Sequence, residues 1–377
     1  MKTICHPIDF PGAYPLSRLG SPESLLFFDI ETTGFSAETD RVYLIGCIFY
    51  EAKAACWMMS QWFADTSESE TGLLTEFNAR LKSCGKLIHF NGDAFDLPFL
   101  QKRCLRLGIP FDGFQGESVD IYRRIRPFKA MLGLESLKQK SMEKFFGICR
   151  EDQYSGGQLI QIYEDYLKEP DPRSFHLLTL HNEEDLKGMC QILPVLNYPD
   201  TFRQRLKLVS QELKLTSQEL KPTGQELKPA GHGPFLILTY ESACTMPLPF
   251  KTAGNLPGSQ IYGEGSRILC HIPLIEGEMK HFYPNYKDYY YLPYEDTAVH
   301  KSVGVYVTGS ARQRATAKTC YTKMSGLFLP QSPPLGQPVF QKEYSDKLTC
   351  LPYRKELLLE PWMADAYLRQ LLGLPAL

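Results

Sequence analysis

The feature that most constrains this chain is a short apolar run that leads directly into two acids. Residues 25–28 read Leu-Leu-Phe-Phe, Asp29 and Glu31 follow at alternate positions, and Gly34 comes three residues later. A short apolar run bounded by turn-forming residues is typical of a buried strand, and alternate residues of a strand point to one face. Two carboxylates that project together repel each other unless a cation lies between them. The pair therefore predicts an Mg²⁺ or Mn²⁺ site, and a solvated strand end is the alternative.

Composition sets the broad class of protein. The 377 residues favour two domains, and 43% hydrophobic with 22% charged residues is typical of a soluble globular chain. The net charge of −2 provides no overall basic field, so any nucleic-acid binding depends on local patches. The 11 cysteines include no Cys-x-x-Cys pair, and no apolar stretch approaches the roughly 20 residues that span a bilayer. We therefore expect a cytoplasmic protein without a secretion signal or membrane contact.

The order of strand and helix patterns divides the chain. Up to about residue 200 these patterns alternate, which predicts an α/β sheet with helices packed on it. From Ser210 a seven-residue unit with Gln-Glu-Leu-Lys occurs three times, and Pro222 and Pro229 exclude a continuous helix. Strand patterns follow, including one at 303–307. The predicted parts are an irregular N-terminal extension (1–24), an α/β domain (25–200), a linker with the repeats (201–233) and a smaller β-rich or α+β C-terminal domain (234–377).

A second candidate acid, Asp96, stands at the start of a predicted helix. It follows an apolar strand pattern at 87–90 and an Asn91-Gly92 turn, and Pro98 falls in the first turn of the helix. An Asp in this place can simply cap the helix. It also lies at an edge of the sheet, where α/β proteins form their sites, so Asp96 is a candidate ligand.

A third candidate, Asp185, falls on the apolar stripe of a helix predicted over 172–196. Leu178 and Met189 lie on the same stripe, and His181 precedes Asp185 by one turn on the same face. A hydrogen-bonded core histidine is the alternative for His181. An acid and an imidazole together on a core-facing stripe indicate a functional site.

The four acids Asp29, Glu31, Asp96 and Asp185 can converge on one end of the sheet. Carboxylates in such a group, without cationic neighbours, can hold two divalent ions about 3.5–4 Å apart, as in phosphodiester hydrolysis. His181 is then the candidate general base. The sequence contains no nucleophile elbow, Walker loop or His-Glu-x-x-His motif that offers competing chemistry.

Three motifs follow one another along the chain. They are Phe28-Asp29-Ile30-Glu31-Thr32-Thr33-Gly34, then Phe90-Asn91-Gly92 with Phe95-Asp96-x-Pro98-Phe99-Leu100, then His181-Asn182-x-x-Asp185. In this order they resemble the DEDD superfamily of 3′–5′ exonucleases and, more narrowly, the YprB-type ribonuclease-H-like domain. The resemblance covers roughly residues 25–197 and implies a ribonuclease-H-like mixed sheet flanked by helices, with two Mg²⁺ or Mn²⁺ ions on the four acids.

His181 departs from the superfamily pattern, which places a Tyr four residues or a His five residues before the last acid. Here a His stands four residues before Asp185. The residue type follows one branch and the spacing follows the other. Three roles therefore stay open for His181: it is the general base, it orients the attacking water, or the water needs no protein base.

Candidate substrate contacts lie beside these motifs. Thr32, Thr33 and Gly34 let a substrate approach closely, and Asn91 belongs to the second motif. Arg123, Arg124 and Arg126 form a basic run that can contact phosphates, although solvated surface positions are the alternative.

The sequence thus predicts a metal-dependent nuclease, a hydrolase that acts as a 3′–5′ exonuclease on a single-stranded DNA or RNA end. Two alternatives stay open. One is a nucleic-acid-binding module with weak or lost catalysis, and the other is a structure-selective endonuclease, because ribonuclease-H-like folds host both kinds of nuclease.

Overall fold

A mixed six-stranded sheet forms the centre of the first of two units in the computed structural model, which describes residues 1–111, 114–215 and 233–376. This unit comprises residues 1–130 and 134–199. The strand order is β1-β4-β3-β2-β5-β6; β2 pairs in parallel with β5, as β5 does with β6, and the other pairs are antiparallel. The strands are β1 (Lys2–Ile8), β2 (Leu25–Thr32), β3 (Val42–Glu51), β4 (Cys56–Phe63), β5 (Lys86–His89) and β6 (Glu117–Asp120).

Helices pack on this sheet, and alternate residues of β2 point to its two faces. Phe28 packs against Phe77 of α1 (Glu70–Leu81), with ring centroids 5.2 Å apart, whereas Asp29 points to the other face and contacts Asn182 of α6 (Pro172–Ile192). The predicted α/β domain with helices on a mixed sheet is confirmed. The helices are α1 (Glu70–Leu81), α2 (Asp96–Arg106), α3 (Ile121–Ile125), α4 (Gln139–Phe145), α5 (Gly156–Lys168) and α6 (Pro172–Ile192); α7 (Asn197–Phe202) begins in this unit and ends in the second.

Part of the N-terminal extension is a strand, so the prediction that residues 1–24 are irregular was wrong for 2–8. β1 pairs antiparallel with β4 over its whole length, from Lys2 opposite Phe63 to Ile8 opposite Trp57. It is an edge strand, where a Pro such as Pro7 is tolerated because one side of the strand needs no ladder bonds. Its residues are exposed or half-buried, and polar and apolar residues are mixed along it without a long apolar run.

The second unit comprises residues 131–133 and 200–377 and is rich in strands, as predicted. Among its described residues the sheets have the orders β7-β8-β11-β10-β9, β12-β16-β17 and β14-β13-β15. Its strands are β7 (Lys207–Lys214), β8 (Phe235–Glu241), β9 (Phe250–Ala253), β10 (Gln260–Glu264), β11 (Arg267–Pro273), β12 (Ile275–Phe282), β13 (Tyr289–Leu292), β14 (Thr297–His300), β15 (Gln313–Arg314), β16 (Tyr321–Gln331) and β17 (Thr349–Pro352), and its helices are α8 (Lys301–Gly304) and α9 (Pro361–Leu372).

Two sequence predictions for this unit need correction. β7 lies within the predicted linker 201–233 and pairs antiparallel with β8, because a polar segment can still supply backbone groups to an edge ladder. The first repeat therefore contributes to a strand, and the second and third repeats lie outside the described residues. The pattern at 303–307 is not a strand: the chain forms the short helix α8, and Gly304 packs closely on Tyr290 and Val299.

Candidate metal and nucleic-acid site

Three segments of the first unit bring the four predicted acids together. Asp29 and Glu31 come from the end of β2, Asp96 is the first residue of α2, and Asp185 lies in the fourth turn of α6. The charges of Glu31, Asp96 and Asp185 all act on the Asp29 carboxylate. One oxygen each of Glu31 and Asp185 and a ring nitrogen of His181 lie within 4.8 Å of one another.

The position of Asp29 depends on a buried chain of amides. The Asn182 amide donates to Asp29 Oδ2 at 2.9 Å, and the Gln61 amide donates to Asn182 Oδ1 at 3.0 Å. Asn182 reaches the sheet because Gly46 of β3 has no side chain: a Cβ there would lie 2.0 Å from Asn182 Oδ1. Gly46 thus permits the close approach of α6 that sets the site.

Asp96 does not cap its helix. The N-cap residue is Phe95, and no side chain caps that end of α2. The Asp96 carboxyl instead accepts from its own backbone N–H and from that of Ile30, which ties α2 to the strand bearing Asp29 and Glu31. The capping alternative considered for Asp96 is therefore wrong.

Burial and mutual repulsion disturb the ionisation of three of these acids. Burial first, and then the charges of the neighbouring acids, raise the pKa values of Asp29 and Glu31 well above their usual range. Burial likewise raises the pKa of Asp96 to about 7, with the charges of Asp120 and Asp185 adding to the effect and backbone N–H donors opposing it. A cation among these oxygens would relieve this cost, so the residues fit an oxygen-binding divalent ion.

His181 stands between the acids and a further carboxylate. Its Nδ1 lies 2.6 Å from Asp152 Oδ2, while its Nε2 lies 3.3 Å from Asp185 Oδ2 and 3.7 Å from Glu31 Oε1. Asp152 accepts the Nδ1 proton and so fixes the ring, and the side chain of His181 is 8% exposed.

Asp152 is itself held firmly. Its backbone N–H donates to Glu184 at 2.9 Å, its Oδ1 accepts from the Tyr154 N–H at 2.9 Å, and Lys140 Nζ lies 3.3 Å from its Oδ2. Although burial alone would raise it, the Tyr154 N–H and His181 hold the pKa of Asp152 below its usual range. The carboxylate is therefore an ionised, fixed acceptor for His181.

Arg150 corrects the expectation that the acids have no cationic neighbour. Its Nη1 forms an ion pair with Asp185 Oδ1 at 2.5 Å, and the same guanidinium hydrogen-bonds Glu143 of α4. The Arg150 side chain is 8% exposed, so this is a buried pair. Burial opposes the charged form, but Glu143 and Asp185 outweigh it and raise the pKa of Arg150. Asp185 therefore keeps Oδ2 for the side that faces His181.

Sequence analysis missed Arg150 and Asp152 because both lie between helices, in a segment without a periodic pattern. The only local signal was an Arg-x-Asp pair between two predicted helices. The anchor of this segment is a tertiary contact: Glu184 of α6 accepts the N–H groups of Glu151 and Asp152.

The candidate substrate residues fall in different settings. Thr32 Oγ1 donates to the Gly34 carbonyl at 2.7 Å, and Thr33 Oγ1 accepts from Arg41 N at 3.0 Å, so both threonines shape the loop after β2. Arg124 pairs with Glu117 at 3.1 Å, the exposed Arg123 pairs with Asp93 at 3.6 Å, and Arg126 is exposed.

Asn91 lines a cleft of about 440 Å³ beside the acids, together with Phe90, Tyr122, Leu137, Lys138 and Gln139. Gln139 Nε2 donates to the Asp185 backbone carbonyl at 2.7 Å, which connects the wall of the cleft to the acid-bearing helix. Asn91 has φ +64°, a conformation that Asn adopts more readily than most residues.

A second group of titratable residues comprises His89, Asp93 and Asp120, and a hydrogen-bond chain connects His89 to Asp93. The Gly92 N–H donates to His89 Nδ1 at 3.0 Å, so the ring proton is on Nε2, which lies 2.7 Å from Ser118 Oγ; Ser118 donates to Asp93 Oδ1 at 2.5 Å. Burial lowers the pKa of His89. Its nitrogens are thus satisfied within the protein, and the group shapes the turn before Asp96.

Comparison with known proteins places the fold. Residues 26–197 match the model of the RNase_H_2 family, part of the RNase_H superfamily. The first unit is therefore built on a ribonuclease-H-like mixed sheet flanked by helices, and the second unit adds β-rich sheets. Among curated proteins, none matches the chain.

Several solved structures are similar to this chain at low sequence identity. A family B DNA polymerase from the hyperthermophilic archaeon Pyrobaculum calidifontis is 14% identical over 52% of this chain and 32% of its own, with a TM-score of 0.36. The zinc-bound E. coli ExoI–ssDNA complex is 19% identical over 43% of this chain and 44% of its own, with a TM-score of 0.28. A product-bound exonuclease I is 18% identical over 42% of this chain and 46% of its own, with a TM-score of 0.28. The chain thus spans less than half the length of these structures.

Within the described ranges, no helix is both long and apolar enough to cross a membrane.

Proposed function

We propose that this protein is a metal-dependent nuclease that hydrolyses phosphodiester bonds of DNA or RNA. The observation that carries the proposal is the convergence of Asp29, Glu31, Asp96 and Asp185 from three segments, with the pKa values of the first three raised by burial and repulsion. Ionising buried, neighbouring carboxyls is unfavourable, and a bound cation would offset that free energy. Mg²⁺ and Mn²⁺ fit such a group because they prefer oxygen ligands.

In this proposal the four acids hold two divalent ions, Mg²⁺ or Mn²⁺. When bound, such ions activate a water nucleophile and neutralise the charge of the phosphate under attack. The protein supplies the rest: Asn182 fixes Asp29, the Ile30 N–H fixes Asp96, and Arg150 fixes Asp185. These contacts place the carboxylates before substrate arrives, so the site needs little reorganisation.

The cleft beside the acids supports a single-stranded nucleic-acid end as the substrate. Phe90 and Tyr122 have ring centroids 6.1 Å apart and line the cleft, which offers apolar surface to a base. Lys138 lines the same cleft and supplies a positive charge for a phosphate, and the exposed Arg123 and Arg126 extend that charge. Thr32, Thr33 and Gly34 remain proposed contacts in the loop after β2.

The 3′–5′ exonuclease polarity is part of the proposal and rests on the order of the three motifs, which resembles that of the DEDD superfamily. A structure-selective endonuclease and a binding module with weak catalysis are the alternatives to be distinguished by experiment.

The test uses the full-length protein with single- and double-stranded DNA and RNA that carry a label at either the 5′ or the 3′ end, in Mg²⁺, Mn²⁺ or EDTA. The proposal predicts a ladder of shortening products from 5′-labelled strands and early release of the label from 3′-labelled strands, both abolished by EDTA. Internal cuts at fixed positions would support an endonuclease. Metal-independent binding without cleavage of any substrate would contradict the proposal and support the binding module.

A further inference from the structure

The Nε2 atom of His181 lies about as close to two of the acids as two ligands of one metal ion lie to each other. A base that takes a proton from a metal-bound water lies one water away, about 4–5 Å from the ion, since hydrogen bonds span about 2.6–3.2 Å. Two ligands of one ion, each about 2.0–2.2 Å from it, lie roughly 3.0–3.5 Å apart. The Nε2 atom of His181 lies 3.3 Å from Asp185 Oδ2 and 3.7 Å from Glu31 Oε1, close to the spacing of ligands.

The sequence explains this closeness. Because they are four positions apart along α6, His181 and Asp185 lie one above the other on the same helix face. Glu31 of β2 faces both side chains. Because a ring lone pair and two carboxylate oxygens repel one another, a divalent cation at their centre would stabilise this arrangement.

The surroundings of the ring are those of a metal-bound histidine. Histidines that bind metals commonly donate their other ring N–H to a carboxylate, which fixes the ring and its tautomer. Asp152 fills this position at 2.6 Å from Nδ1, and its carboxylate is held by the Tyr154 N–H and Lys140. The ion pair of Arg150 with Asp185 Oδ1 leaves Oδ2 as the oxygen beside Nε2.

We propose that His181 binds one divalent ion directly through Nε2, together with Glu31 and Asp185, and that Asp152 is the positioning residue for this ligand. The proposal rests on the proposed metal-dependent function and replaces the general-base role for His181, because a nitrogen that binds a metal has no lone pair left for a proton. An imidazole among carboxylates favours transition-metal ions, so the site discriminates against Mg²⁺ in favour of Mn²⁺ and the later metals.

The test measures the bound ion itself. Electron spin-echo modulation of Mn²⁺ bound to the full-length protein reports directly whether an imidazole nitrogen is a ligand, and calorimetric titrations with Mn²⁺ and Mg²⁺ give the two dissociation constants. The variants are His181→Gln and Asp152→Asn. His176→Gln is the matched control, because His176 is exposed on the same helix.

We expect nitrogen modulation in the unmodified protein and in His176→Gln, and its loss in His181→Gln together with a roughly tenfold fall in the preference for Mn²⁺ over Mg²⁺. Asp152→Asn should weaken Mn²⁺ binding about 10–100-fold. Bound Mn²⁺ without nitrogen modulation in the unmodified protein would overturn this inference and leave the proposed function intact. If the unmodified protein binds neither ion, both proposals fail.

Discussion

Asp96 offers a quantitative test of the acid cluster because its carboxyl is buried and its pKa is raised to about 7. Replacing Asp96 with Asn keeps the shape of the side chain and one oxygen that can accept from the Ile30 N–H, but removes the charge. We expect the metal-free Asp96→Asn variant to be more stable than the unmodified protein at pH 8.

The direction and size of this difference in stability follow from proton linkage. An unfolded Asp ionises near its ordinary pKa of about 3.9, whereas folded Asp96 ionises near 7. The stability from this group is therefore fully present below about pH 4 and is lost as the pH rises through 7. A shift of about three units corresponds to about 4 kcal/mol at pH 8. Because the other acids respond when one charge is removed, we expect a gain of about 2–4 kcal/mol, shrinking towards zero near pH 4.

The assay is urea unfolding followed by tryptophan fluorescence. Trp57 and Trp62 lie in β4 of the first unit, and Trp362 lies in α9 of the second. A Trp362→Phe background makes the signal report the first unit, which contains Asp96. Exposed Asp9, changed to Asn in the same background, controls for the loss of a surface carboxylate.

Mn²⁺ should narrow the difference in stability between Asp96→Asn and its parent. At a Mn²⁺ concentration 100 times the dissociation constant, the unmodified protein gains about 2.7 kcal/mol, and the variant, with one ligand removed, gains less. We predict that buried, mutually repelling carboxylates lower the free energy of unfolding of the metal-free protein. A lower stability of Asp96→Asn than of its parent at pH 8 in EDTA would refute this prediction.

Three further predictions concern the residues around the acids. Arg150→Met leaves buried carboxylates unpaired, so thermal unfolding should show a loss of about 3–5 kcal/mol in EDTA and a smaller loss in Mn²⁺; an equal loss in both would contradict the link to the acids. Gly46→Ala places a Cβ against Asn182, so we expect a loss of about 1–3 kcal/mol and weaker Mn²⁺ binding, and unchanged binding would count against the role given to this contact. Because the raised pKa values of Asp29 and Asp96 mean that protons compete with metal, Mn²⁺ binding should release protons and tighten between pH 6 and 8; calorimetry in buffers of different ionisation enthalpy measures this, and no proton release would contradict it.

The core of the fold and the acids of the site could be predicted because their signals are local. The β2 run is apolar for four residues, its acids alternate, and α6 has a helical stripe that includes Asp185, so each segment reveals its own structure. The order of these segments then limits the ways in which they meet at one edge of a sheet.

The rest of the site depends on contacts between residues far apart in the chain. Arg150 and Asp152 lie in an irregular segment, and only the folded structure shows that they reach Asp185 and His181. The strand β1 was missed for a related reason, because its partner β4 begins almost 50 residues later and its own sequence mixes polar and apolar residues without a long apolar run. The conformation of such an edge strand depends on its pairing with a neighbouring strand more than on its own residue pattern.

The central claim, that the four acids form the active site of a metal-dependent nuclease, is tested most directly by the initial rate of phosphodiester cleavage of one labelled single strand in Mn²⁺. The rates of the unmodified protein, Asp29→Asn and Asp9→Asn are compared at equal concentration, with equal folding verified by circular dichroism. We predict that Asp29→Asn is slower by at least about 100-fold, or ~2.7 kcal/mol of transition-state stabilisation, and that Asp9→Asn is unchanged. Cleavage by folded Asp29→Asn at the unmodified rate would contradict the claim.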